Sequence, residues 1–210
     1  MRTPVGALLR HPFRFATLAL LLEAAVAVGG FGWNLDGLQA VTRYSGRVGL
    51  LWFALVFSIS PLHRLRPREW TRLALRRRRQ LGLAFGYHHL VHLALVLSYL
   101  QASGRDLDPS RAAGGVLGYV LVVAMMLTSS DAAVATFGAH NWRRLHRAGL
   151  WYLWVAFLLT YLPRLQGKVE NAGGGMAEFT ACISLVLAIA LLRGAALLSP
   201  RPGAGIPTPG

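Results

Sequence analysis

The chain has 210 residues, 54% of them hydrophobic and only 14% charged, with a formal net charge of +14. A soluble core of this length cannot bury so much apolar surface, so lipid is the expected solvent and the composition reads as an all-α integral membrane protein.

Six apolar runs recur in chain order, at about 15–33, 46–62, 80–100, 112–130, 146–162 and 177–198. A crossing helix needs about 20 such residues, so the pattern predicts a six-helix transmembrane bundle over residues 1–198. The first run has basic residues before it and an Ala25-Val26-Ala27 triplet near its end, as a cleaved signal peptide has. It also carries Glu23 and continues to Phe31 and Trp33, which favours a retained helix. The second and fifth runs are short, so their flanking Arg, Trp and Tyr residues are expected to reach the interface. The segment between the second and third, RLRPREWTRLALRRRR, reads as a signal fixing helix orientation, with contact to anionic headgroups as the alternative. The tail from Ser199, SPRPGAGIPTPG, has a disordered composition.

The positive charge is a topology signal rather than a nucleic-acid footprint. With the N-terminus in the cytoplasm, six crossings place 16 of the 22 Lys and Arg residues on the inner face, eight of them between Arg64 and Arg79. Loops that stay inside concentrate cations, so both termini are expected to be cytoplasmic and no nucleic-acid partner is implied.

Cys182 is the single cysteine, so no disulfide, zinc cluster or CxxC pair forms within one chain. Neither a P-loop nor a GxGxxG after a strand occurs, and Gly173 to Gly175 read as a turn. Electron chemistry in this chain therefore requires a bound cofactor.

The third run carries His88, His89 and His92. His88 and His92 share a helical face about 6 Å apart along the axis, and His89 points about 100° away from His88. Ionisable groups at that depth mark functional sites, although one hydrogen bond to a neighbouring helix also satisfies a neutral imidazole. A zinc or iron site would have to recruit acids, and only Glu23, Asp131 and Glu178 are near. Glu23 and Asp131 also suit proton movement or a quinone site, or simple bundle-facing hydrogen bonds. Heme asks for less: axial side chains from two helices, with the porphyrin in the apolar gap between them. Gly82 with Gly86, and Gly114 with Gly118, provide close-packing GxxxG pairs that also leave room for a flat ring.

The stretch from about Tyr44 to Leu165 resembles the ferric reductase-like transmembrane domain, and within it the heme-binding membrane subunit of the bacterial methionine sulfoxide reductase system. The resemblance is carried by YSGRVGLLWFALVFSISPLHRL, RRRRQLGLAFGYHHLVHL and LTSSDAAVATFGAHNWRRLHRAGLWYL in that order. It implies a b-type heme held by histidines of the third and fifth crossings, where His92 and His146 fall on the ligand positions. A second histidine of the fifth crossing falls at Leu159 here. At 1.5 Å per residue His92 lies about 18 Å deep and His146 near the inner edge. The expected site is therefore one heme, with His146 on one side and His88 or His92 on the other, and with His63 or Tyr161 as weaker ligand candidates.

Arg47, Arg79, Arg143 and Arg144 suit the heme propionates, or serve as membrane-edge anchors. His11 and His140 are expected to be solvated, and Phe85, Tyr87, Trp151 and Trp154 to pack. The resemblance implies an electron-transfer subunit of the bacterial inner membrane rather than an autonomous enzyme. It would take electrons from quinol or a flavin reductase, with quinone or a partner's FMN as further cofactors, toward a soluble periplasmic oxidoreductase. The alternative is a heme-free scaffold or transporter subunit.

Overall fold

The computed structural model describes residues 4–105, 109–169 and 174–199. These form nine helices and no strand: α1 Pro4–Arg10, α2 Pro12–Phe31, α3 Leu35–Leu65, α4 Glu69–Arg76, α5 Arg78–Ser103, α6 Pro109–Leu127, α7 Asp131–Phe137, α8 Ala139–Leu165 and α9 Met176–Leu198. Five of them, α2, α3, α5, α8 and α9, are long and apolar enough to cross a bilayer, and a sixth crossing exists if α6 and α7 are one span bent by 106°. The chain is thus a multi-pass helical membrane protein. Residues 200–210 of the expected tail lie outside the described residues.

Three extents differ from the sequence reading. The second and fifth crossings are not short: α3 has 31 residues and α8 has 27. Apolar runs mark only the hydrocarbon-embedded turns, whereas α3 continues to a polar cap where Asn34 Oδ1 accepts the Gly37 amide at 3.0 Å. The fourth run does not continue straight to residue 130. α6 stops at Leu127, and Ser130 then caps α7 by accepting the Ala133 amide. The basic connection after α3 is not simply a loop, because α4 forms within it and buries Thr71 and Ala74, packing on α1 and α5.

α3 is the central helix, packing on α2, α5 and α9, while α8 bridges α6 and α9. Its Phe53, 0% exposed, meets the rings of Phe57, Phe85 and Phe157 at centroid distances of 5.2, 6.0 and 5.0 Å, joining α3, α5 and α8. Leu18, Leu21 and Leu22 on α2 and Leu191 and Leu197 on α9 face outward, as a lipid-solvated surface requires. Cross-contacts fix which ends lie together. Arg64 donates to the Ser199 carbonyl at 2.6 Å, so α3 and α9 finish at the same Arg-rich end. Gln39 donates to Tyr99 Oη at 2.6 Å, joining the start of α3 to the finish of α5 at the opposite end.

The α2–α3 turn depends on two glycines. Gly32 closes α2 with φ of +79°, and a Cβ on Gly37 would lie 2.0 Å from the Gly32 carbonyl oxygen. Backbone cannot move aside as a flexible side chain does. Gly37→Ala is therefore expected to destabilise the bundle by about 1–3 kcal/mol, read as a lower melting temperature in detergent. An unchanged melt would show that the turn reseats freely.

Candidate heme cavity

A cavity of about 570 Å³ opens between α5, α6 and α8, with Gly46 of α3 at its back. Its volume is that of a cofactor site. α6 contributes Gly114, Gly115 and Gly118, whose missing side chains leave a thin wall, and Tyr119. α5 contributes His89 and His92, and α8 contributes the row from Tyr152 to Arg164. Tyr152 fastens α8 to α6 by donating from its hydroxyl to the Gly114 carbonyl at 2.7 Å.

His92 is held in place from behind. Its Nδ1 lies 2.8 Å from Ser45 Oγ, and Ser45 is fully buried on α3. Its other nitrogen, Nε2, stands 3.6 Å from where a Gly46 Cβ would be, against the cavity wall. A hydroxyl on one ring nitrogen fixes the tautomer and orientation of the other, as around metal-bound imidazoles. His89 lies beside it, with ring centroids 5.7 Å apart, and stacks on Tyr119 at 5.1 Å and Phe85 at 5.1 Å. His89 Nδ1 is buried without a hydrogen-bond partner among the described residues.

The remaining sequence candidates are placed elsewhere. His88 is fully buried against α2, its Nε2 3.1 Å from Glu23 Oε1, and does not line the cavity. His146 sits near the start of α8, stacked on Trp142 at 4.3 Å with Thr128 Oγ1 3.4 Å from its Nε2, and is likewise absent from the lining. The structure therefore brings His92 together with His89, not with His88 or His146. Tyr161 and Leu159 line the α8 side, and no histidine of α8 does. His63 Nδ1 lies 2.8 Å from Thr71 Oγ1 at the Arg-rich end.

The arginines are also dispersed. Arg47 pairs with Glu178 and borders a different cleft, Arg79 pairs with Asp131 at 3.0 Å, and Arg143 and Arg144 are exposed on α8. The arginine on the cavity is Arg164, which also donates to the Thr160 carbonyl. His11 and His140 are exposed, Phe85 packs in the core, and Trp154 donates to the Val186 carbonyl at 2.8 Å. Sequence reasoning missed Ser45, Tyr119, Gly115 and Arg164. Ser45 falls just ahead of the second apolar run, and nothing in the chain order pairs it with His92.

The donors present fit a heme better than a bare ion. Among the described residues no three His, Cys, Asp or Glu side chains converge, whereas a porphyrin brings four of the iron's ligands itself and asks the protein for one or two. An imidazole anchored from behind, aromatic walls, a side-chain-free α6 face and an arginine on the lining meet that need.

No family model matches the chain. It is 36% identical over 138 residues to the protein-methionine-sulfoxide reductase heme-binding subunit MsrQ of Azospira oryzae, covering 63% of this chain and 58% of that protein. It is 29% identical over 150 residues to the subunit of the same name from Ralstonia nicotianae, covering 67% of this chain and 65% of that protein. The chain thus matches less than two thirds of the length of each of these curated relatives. With its multi-pass helical fold, this chain is similar to the heme-binding subunits of protein-methionine-sulfoxide reductase.

Proposed function

We propose that the chain is a heme-binding electron-transfer subunit of the bacterial inner membrane, with six crossings and both ends of the chain on the cytoplasmic side. It would pass electrons from quinol or a flavin reductase toward a soluble periplasmic oxidoreductase. The observation that carries this reading is the cavity that His92 lines, its Nδ1 held by Ser45 while Nε2 stays against the wall. One b-type heme there supplies one-electron redox chemistry. His92 would hold the iron, Gly114, Gly115 and Gly118 would admit the ring, Tyr119 and Phe157 would exclude lipid and water, and Arg164 would pair a propionate. Leu159, 63% exposed on the cavity wall, leaves α8 without an imidazole there. Tyr152, Thr160 and Tyr161 are the hydroxyl-bearing side chains on that side.

The same Leu159 is what favours the second reading, a heme-free scaffold. The two readings separate by spectroscopy. Purified chain is expected to show a reduced-minus-oxidised b-type spectrum with a heme-to-protein ratio of about one, since a single cavity carries the donor set. Protein that stays colourless after heme supplementation would establish the scaffold.

A further inference from the structure

Within α3, Pro61 carries no amide N–H, so the Phe57 carbonyl four residues earlier loses its helical donor. Arg193 of α9 takes that place, its Nη1 donating to the Phe57 carbonyl oxygen at 3.2 Å. The guanidinium lies 4.3 Å from the centroid of the Phe57 ring and 5.8 Å from that of Trp151 on α8, and the two rings meet edge-on at 5.4 Å. A guanidinium has five N–H donors, and this contact uses one. Among the described residues Arg193 forms no ion pair. It stands five residues before Leu198, the last residue of α9, and so about 7.5 Å of helix from the Arg-rich end. An uncompensated charge at that depth is costly.

A second guanidinium stands beside it. Arg147 of α8 lies one turn before Trp151, is exposed and forms no ion pair among the described residues, and its positive charge acts on Arg193. Arg64 brings a third charge to the same seam. It lies two turns beyond Phe57 on the same face of α3, reaches the end of α9 through the Ser199 carbonyl, and keeps a buried Nε with no acceptor among the described residues. Like charges gathered at a membrane edge repel unless an anion sits among them. The seam faces lipid: Arg147, Trp151 and Val155 follow at four-residue intervals on α8, Trp151 and Val155 are half-exposed, and Leu197, one turn after Arg193, is 70% exposed. An anion that settles there needs an apolar tail. A water-soluble acidic protein would meet the exposed Arg72 and Arg76 of α4, whereas Arg193 is recessed between Phe57 and Trp151.

We propose that the α3–α8–α9 seam at the Arg-rich end binds an anionic phospholipid, with its phosphate between Arg147 and Arg193 and its acyl chains along Trp151 and Val155. The planar fork of a guanidinium matches phosphate oxygens with paired N–H donors, and Arg193 is already oriented by the Phe57 carbonyl and the two rings. Arg64 adds to the attraction from the α3 side. A zwitterionic headgroup carries its own cation, which the three arginines repel, so the seam selects lipids by net charge. The bound lipid would tie α8 to α9. Because α8 also carries the row from Tyr152 to Arg164, it would brace one wall of the cavity from outside. Neither the binding nor its test depends on heme.

The test uses the full chain in an uncharged detergent. Dioleoylphosphatidylglycerol is expected to raise the melting temperature of the wild type by about 5–10 °C when present at about 100 times its Kd, and dioleoylphosphatidylcholine by much less. Arg147→Gln alters an exposed side chain and should weaken phosphatidylglycerol binding about 10-fold, the loss of one charged hydrogen bond. Arg193→Lys keeps the charge and a donor for the Phe57 carbonyl but loses the fork, and should weaken binding to a similar degree. Arg72→Gln combined with Arg76→Gln removes more charge, from α4, and should leave the affinity unchanged. Equal shifts from the two lipids, or Arg147→Gln and Arg193→Lys binding as tightly as wild type, would overturn the proposal. Loss of binding in the α4 variant would move the lipid to α4 and overturn it as well. An equal shift from inorganic phosphate alone would show that the anion needs no tail, which overturns the lipid as occupant.

Discussion

Replacing His92 by Ala is expected to remove the b-type heme signal from the purified chain altogether. His92 supplies the imidazole that Ser45 holds against the cavity, and no histidine of α8 lines the other side to keep the iron in place. His146→Ala should leave the signal intact, because His146 is stacked on Trp142 and lies outside the cavity. Ser45→Ala tests the support separately. Losing the hydrogen bond that orients a ligand costs roughly 10- to 100-fold in affinity, so heme should dissociate more readily from a bundle that still folds. The readout is the absorbance spectrum after gel filtration, with pyridine extraction to count heme. Full heme retention in His92→Ala together with loss in His146→Ala would move the site to the Arg-rich end of the bundle.

The largest stability effect is expected at Phe53. Its ring joins α3 to α5 and α8, against Phe85 and Phe157 as well as Phe57 on its own helix. In lipid the hydrophobic drive between helices is weak, and close packing carries more of the association. Phe53→Ala leaves a void in a junction fixed by three helices that cannot each relax, so a cost of about 3–5 kcal/mol is expected. Thermal unfolding in detergent, followed by circular dichroism, measures it. Leu191→Ala is the control, since that side chain is 75% exposed on α9. A Phe53→Ala melt indistinguishable from the control would mean that the aromatic junction repacks.

The crossings were legible because twenty apolar residues in a row have few other uses, and the Arg-rich connections agreed with them. Their extents were not. α3 begins at Leu35, well before its apolar run, because Asn34 caps a half-polar turn that hydropathy does not see. α1 and α4 escaped because helices of seven and eight residues are too short to show as a membrane-crossing apolar run. At the site, helical spacing correctly places His88 and His92 within a turn of each other, but it gives an angle rather than a neighbour. The structure separates the two by what each meets: Glu23 of α2 for His88, and Ser45 of α3 for His92. His89, set aside by spacing, lines the cavity because α6 approaches α5 on that side. Pairing across helices is long-range information, and one chain read in order does not hold it.

The cavity's depth has a consequence for wiring. His92 stands fourteen residues beyond the first residue of α5, about 21 Å of helix from the Arg-rich end. A lone redox group at that level leaves the Arg-rich half of the membrane without a stepping stone, so a water-soluble donor docking on the arginines has a gap to cross. A carrier that swims sideways in the lipid meets no such gap, and the current through this chain would then enter by its flank.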